Sequence, residues 1–222
     1  MKALEQAVAD TFNDYMRDLC RNAEKAFLPF SLGGQDRDSA DYLISNAEGF
    51  ALIEFKHSEL ELINEGKKSR RKKLCKLLQV NKAMREIHDK CHFVVWWDSS
   101  SQNLRCAPYR TEICNQSVFA GCSFLEAQHP IENRRMLAET YGYEFINPPP
   151  ERYAQKAEFE KYLAWLMRDA SGSSYETVEL MARGLIGCTA VRFESVDEAY
   201  RWMQGTTGFN FRKPPPDSTR EI

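Results

Sequence analysis

The chain has 222 residues, 43% hydrophobic and 28% charged, with 30 Lys or Arg against 32 Asp or Glu and a formal net charge of -2. Such values exclude a disordered chain and predict an ordinary globular protein with one substantial core, or a core and a smaller appendage. The overall charge gives no sign of nucleic-acid binding, so any such reading must rest on local clustering of charge.

From residue 2 to about 27, Leu4, Val8, Phe12, Tyr15, Met16 and Leu19 recur at three and four positions, which predicts an amphipathic helix ended by Pro29 and Gly33-Gly34. Residues 35–39 read as a charged loop, residues 41–45 as a strand and residues 46–49 as a turn. Residues 50–56 are a nearly continuous apolar run, consistent with a central strand covered on both faces. An acidic linker, residues 59–66, leads to a helix over about residues 67–89. Its first ten residues, KKSRRKKLCK, hold seven basic side chains: Lys67, Lys68, Arg70, Arg71, Lys72, Lys73 and Lys76. Ten Lys or Arg against Glu86 and Asp89 give residues 67–90 a charge of +8. Leu74, Leu77, Leu78, Val80, Met84 and Ile87 still supply a stripe to bury, so the helix belongs to the fold.

Residues 91–97 (CHFVVWW) predict a strand, residues 98–103 a hairpin turn and residues 104–109 a shorter strand. Trp96 and Trp97 alternate sides, so at least one is expected in the core. This order of helices and strands is an α/β arrangement with a mixed sheet. A helix is expected near residues 131–141, and Pro148-Pro149-Pro150 marks a boundary. Helices are then expected over residues 153–170, 175–183 and 196–204, with a polar, proline-containing tail from Gly205. The division is therefore 1–147 for the main domain, 151–205 for a helical C-terminal extension and 206–222 for a flexible tail.

No apolar run reaches the roughly 20 residues that span a bilayer, and acids interrupt the first fifteen residues, so a cytoplasmic protein without membrane contact is expected. Seven cysteines without a CxxC pair predict free thiols rather than a disulfide framework. Cys106, Cys114, Cys122 and His129 are nearly evenly spaced, but too widely to make a strong metal or cluster motif.

The chemistry concentrates in residues 41–56. Alternation along a strand puts Glu54 and Lys56 on one face and Phe55 on the other. Asp41 and Glu54, brought together by a tight turn, can share a hard divalent cation through oxygen ligands, with the Phe55 carbonyl as a third ligand. A water bound to such an ion is acidified and can supply the hydroxide that attacks a phosphodiester. Lys56 could orient that water or stabilise the pentavalent phosphorane. It could also simply pair with Glu54 or Glu59 at a surface. The basic helix would follow a nucleic-acid backbone, where phosphate contacts give affinity and position.

With Asp41, Glu54-Phe55-Lys56 and the basic helix in place, residues 1 to about 110 resemble the PD-(D/E)xK nuclease superfamily. Asp41 is similar to the first motif acid, with Ala40 at the position of the name-giving proline, and Glu54 and Lys56 match the ExK signature. The 13-position step from Asp41 to Glu54 is similar to that of archaeal Holliday-junction resolvases. Glu5 is the best match for the glutamate that the family carries on its first helix, with Asp14 or Asp18 as substitutes in another register. Gln79 stands where some branches begin a QxxxY motif, and Ala83 occupies the tyrosine position. The resemblance implies a restriction-endonuclease-like α/β core and a Mg²⁺- or Mn²⁺-dependent nuclease. The expected catalytic residues are Asp41, Glu54, Lys56 and Glu5, with metal ligands from Asp41, Glu54 and Phe55, and the substrate is expected to be DNA rather than RNA. The alternative is an inactive nuclease-fold subunit that binds nucleic acid or a partner protein. A homodimer, or a partner docked on the C-terminal part, is also expected.

Overall fold

The computed structural model describes residues 2–32, 40–46, 49–125, 134–147, 153–171, 180–183 and 190–207. Helix α1, Lys2–Asn22, buries Val8, Ala9, Phe12 and Met16 along one face, as the apolar spacing requires. Strand β1, Leu28–Ser31, follows. Pro29, read above as a helix terminator, sits inside this strand. Proline is tolerated there because, among the described residues, β1 pairs with its outer neighbour only at Ser31↔Met181.

Strands β2, Tyr42–Ser45, and β3, Phe50–Lys56, form an antiparallel pair in the register Tyr42↔Ile53 to Ser45↔Phe50. Asn46 closes its end by accepting the Gly49 N–H at 2.8 Å, while the Ser45 hydroxyl donates to the Gly49 carbonyl. Gly49 is needed here, since a Cβ would lie 2.6 Å from the ring of Tyr153.

The single helix expected over residues 67–89 is divided. The acidic linker is a 3-10 helix, Glu59–Lys67, followed by α2, Ser69–Val80, and α3, Lys82–Cys91. Asn81 makes the break: its side chain accepts the Met84 N–H at 3.1 Å and caps α3. The break interrupts the expected stripe, and Val80, counted in it, is 79% exposed.

Strand β4, His92–Asp98, runs parallel to β3, the two helices forming the crossover, and β5, Asn103–Pro108, pairs antiparallel with β4. After α4, Tyr109–Ile113, the expected helix near residues 131–141 becomes a short strand β6, Met136–Leu137, and helix α5, Ala138–Ile146. Helix α6, Lys156–Trp165, continues as a π-helical turn, Leu166–Ser171. The helix expected over residues 175–183 contains strand β7, Leu180–Arg183, in its described part, and β8, Ala190–Phe193, pairs with it. Helix α7, Val196–Thr207, runs two residues beyond the expected start of the tail, whose residues 208–222 lie outside the described residues.

The result is an α/β protein with a mixed sheet in the order β6-β5-β4-β3-β2-β1, extended at β1 by β7 and β8. All pairs except β3 with β4 are antiparallel. One face carries Ala51, Ile53, Phe55, Phe93 and Val95 beneath α1 and α5. The opposite face carries Phe50, Leu52, Val94 and Trp96 beneath α2, α3, α4 and α6. Trp96 is buried, whereas its neighbour Trp97 is exposed at the end of β4.

The segment after the triple proline shares this core. Phe50 pairs with Ala154 and stacks on Phe159, and the Tyr162 hydroxyl lies 2.7 Å and 2.8 Å from Nδ1 of His88 and His92. One hydroxyl carries one proton, so at most one ring accepts from it and at least one donates its Nδ1–H to it. Burial pushes His88 down to about 3 and His92 well below its ordinary value, and both rings are neutral.

The expectation of free thiols throughout is corrected by a disulfide between Cys75 on α2 and Cys114 at the end of α4. The fold brings these residues, 39 apart in sequence, to a Cα separation of 5.2 Å, within bridging range.

Candidate active site

The opening acids and lysine meet at the C-terminal end of β3. Glu54 and Lys56 share the face covered by α2, and Phe55 points to the α1 side. Asp41 precedes β2, and its Oδ2 accepts the Phe55 N–H at 2.6 Å. The Lys56 ammonium is 2.6 Å from Glu54 Oε1 and 2.9 Å from the Phe55 carbonyl oxygen, to both of which it donates. Glu65 Oε1 is 3.4 Å away and Glu5 Oε1 3.7 Å.

Glu5 therefore comes from the first turn of α1 to the site. Asp14 and Asp18 do not, being exposed and paired with Arg17 and Arg21. Gln79 and Ala83 fall on different helices, separated by the break at Asn81.

Two residues complete the cluster that sequence reasoning had placed elsewhere. Glu65, read as part of an acidic linker, is fully buried at the end of the 3-10 helix. Its Oε2 accepts the Tyr109 hydroxyl at 2.7 Å, and its Oε1 lies 2.6 Å from Lys68 Nζ. Gly66 follows it because a Cβ there would stand 2.1 Å from the Val118 carbonyl oxygen.

Arg71, assigned above to the nucleic-acid-binding face, is turned inward and 1% exposed. It donates to Glu54 Oε2 at 2.9 Å, approaches Glu65 Oε2 at 3.3 Å and lies over the Tyr109 ring at 5.3 Å. A signal existed for this placement. Arg71, Leu74, Cys75 and Leu78 are spaced as one helical stripe, and all four are buried. Lys67, Arg70, Lys72, Lys73 and Lys76 remain on the exposed side of the segment, and Lys68 bridges the two regions by contacting both Glu54 and Glu65 while half-exposed.

The charges determine the ionisation of the cluster. Burial pushes the Glu54 carboxyl up, but Lys56, Arg71 and Lys68 outweigh it and hold the group well below the ordinary carboxylate range. Burial pushes Lys56 down, and Glu54, Glu65 and Asp41 reverse that, so its ammonium stays protonated. Asp41 goes the other way: burial, then the like charge of Glu54, push it up to about 7 against the pull of Lys56 and the Phe55 N–H. Near neutral pH, Asp41 is divided between its acid and its carboxylate.

The available ligands are carboxylate and carbonyl oxygens, the donors that suit a hard cation. Glu54 Oε1, the Phe55 carbonyl, Glu65 Oε1 and Glu5 Oε1 already surround one cation, the Lys56 ammonium, so the donor set fits a metal ion in chemical kind. Among the described residues no group of three or more His, Cys, Asp or Glu side chains is assembled for an ion, and two carboxylates with one carbonyl would be a smaller set. The wide cysteine pattern is not brought together. Cys114 is bonded to Cys75, Cys106 and Cys122 belong to cores on opposite faces of the sheet, and His129 lies outside the described residues.

Comparison with family models, with curated proteins and with solved structures finds no match to this chain.

Proposed function

We propose that the chain is a metal-dependent nuclease of the PD-(D/E)xK kind, built on a restriction-endonuclease-like core and acting on DNA. What supports this reading is the gathering of Glu54, the Phe55 carbonyl and the Asp41-to-Phe55 hydrogen bond around Lys56, with the basic segment entering the same cluster through Lys68 and Arg71. Asp41, Glu54 and the Phe55 carbonyl would hold Mg²⁺ or Mn²⁺. When bound, the ion would acidify a water and offset charge developing on the phosphate oxygens.

Lys56 is held as an ammonium, so it acts as a positive charge toward the phosphate and not as a base. Glu5, at the edge of the cluster, helps to fix that ammonium. Arg71 neutralises Glu54 and Glu65 from behind and keeps Glu54 in the rotamer that faces Lys56. Lys67, Arg70, Lys72, Lys73 and Lys76 bind the backbone on either side of the scissile phosphate.

Incubation with DNA in Mg²⁺ or Mn²⁺ against EDTA tests the proposal. Cleavage should require the metal and be lost in Glu54→Ala and Lys56→Ala. Equal degradation by wild type and both variants would sink it.

A second reading is a nuclease-fold protein that binds nucleic acid without cutting it. It is favoured by the pairing of both Glu54 oxygens with protein cations. Salt-sensitive binding that persists in both variants, with no cleavage under any metal, would select it. Among the described residues no helix is long and apolar enough to cross a membrane.

A further inference from the structure

A cavity of about 830 Å³ lies on the α1 and α5 side of the sheet, lined in part by Leu4, Tyr15, His57, Trp97, Gln102 and Asn103. It is of the size that takes small organic ligands. Two of its lining residues are chain neighbours of residues in the candidate active site. Leu4 lines it while Glu5 approaches Lys56, and His57 lines it while Lys56 carries the site, each a single Cα step of about 3.8 Å.

Three observations define the occupant. Trp97 is 40% exposed at the rim and offers an indole for stacking. Tyr15 and His57 line the cavity, and Tyr15 Oη and His57 Nδ1 have no hydrogen-bond partner among the described residues, so a small rotation of either side chain toward a bound ligand would satisfy it. Among the described residues no Lys or Arg lines the cavity, and Glu139 does, so a phosphate would find no counter-charge from them. The amides of Gln102 and Asn103 suit a neutral ring with donors and acceptors on its edge. A purely aliphatic ligand would leave Tyr15 and His57 unsatisfied, and an anion would be repelled.

We propose that this cavity takes up the unstacked base of a nucleotide next to the phosphodiester at Lys56, so that single-stranded or unpaired nucleic acid is the favoured substrate. The placement of the phosphate rests on the nuclease reading. Uptake of the base does not require cleavage. A base inside an intact duplex has first to leave its stack, which disfavours duplex.

The test measures binding of the full chain by fluorescence anisotropy in EDTA. The probes are a short labelled single strand, an abasic strand of equal length and the corresponding duplex. Wild type should bind the single strand more tightly than the other two. Trp97→Ala should weaken single-strand binding by roughly five- to a hundredfold, the range of one base-aromatic stack, and change abasic-strand binding by less than about twofold. Tyr15→Phe, which removes only the unpartnered hydroxyl, should weaken single-strand binding without lowering thermal stability. Equal affinity of wild type for the normal and abasic strands, equal loss on all probes in Trp97→Ala, or no binding of any probe would overturn the proposal. Parallel reactions in Mn²⁺ separate the two claims. Base-dependent binding without cleavage refutes the nuclease and keeps the cavity, whereas cleavage indifferent to Trp97 and to base removal does the reverse.

Discussion

Asp41 Oδ2 accepts the backbone N–H of Phe55 at 2.6 Å, which fastens the acid before β2 to the residue between Glu54 and Lys56. The bond spans 14 positions of sequence and sets two carboxylates side by side. Their mutual repulsion accounts for part of the high Asp41 pKa, and burial accounts for more.

An Asp in an unfolded chain ionises near 4, whereas Asp41 in the folded chain is pushed up to about 7. The folded state holds the proton more tightly. The contribution of this group to stability is complete below about pH 4 and is lost as the pH rises through about 7. Asp41→Asn keeps an acceptor for Phe55 and removes the charge. It should stabilise the protein by roughly 1–2 kcal/mol at about pH 8 and by much less at about pH 5, the partial exposure of Asp41 limiting the effect. Denaturant titrations at both pH values check this, and equal shifts at the two would refute the assignment.

A divalent cation binds the carboxylate and not the acid form. Adding Mn²⁺ to EDTA-treated protein should therefore raise the melting temperature more at about pH 8 than at about pH 6. The gain at saturating ion is expected to be about 1–3 kcal/mol. Asp41→Asn and Glu54→Gln should each abolish the shift, and a rise retained in both would place the ion elsewhere.

Arg71 and Lys72 are neighbours in one basic run with opposite surroundings. Arg71→Met leaves Glu54 and Glu65 short of a buried partner and should destabilise the fold by about 3–5 kcal/mol. Lys72→Ala, on the exposed side, should change stability by less than about 0.5 kcal/mol. It should still weaken nucleic-acid binding and make it less steeply salt-dependent. Urea midpoints and salt titrations of the two variants measure the contrast.

Gly66→Ala would bring a Cβ to 2.1 Å from the Val118 carbonyl oxygen, a backbone atom that cannot swing aside. The expected loss is about 1–3 kcal/mol, the range for overpacking. Because Gly66 follows Glu65, the variant should also lose cleavage activity in excess of its unfolded fraction. Circular dichroism melting alongside the nuclease assay distinguishes the two losses.

The hairpin and the meeting of its charged side chains were legible because they are local. Alternation places Glu54 with Lys56, and the apolar run of β3 announces a central strand. Glu65 was not legible, because its burial depends on Lys56 at the end of β3, on Lys68 and Arg71 beyond a helical turn, and on the hydroxyl of Tyr109, 44 positions away. Arg71 was hidden by its neighbours: a count of charges treats seven basic residues alike, and only the helical spacing with Leu74 and Cys75 singles it out. Strand β7 escaped because four residues carry little periodicity, and its partners are β1, far upstream, and β8.

The pairing of β7 with β1 bears on how this chain can be divided. A fragment stopped at the triple proline would keep the whole carboxylate and lysine cluster. It would also remove the Ser31↔Met181 pair from the outer edge of β1, and with the loss of α6 it would strip Phe50 of Phe159. Bare strand edges beside apolar surface recruit other chains. The C-terminal third is thus expected to guard against self-association, while the site at the end of β3, in the middle of the sheet, draws its charged side chains from the earlier part of the chain.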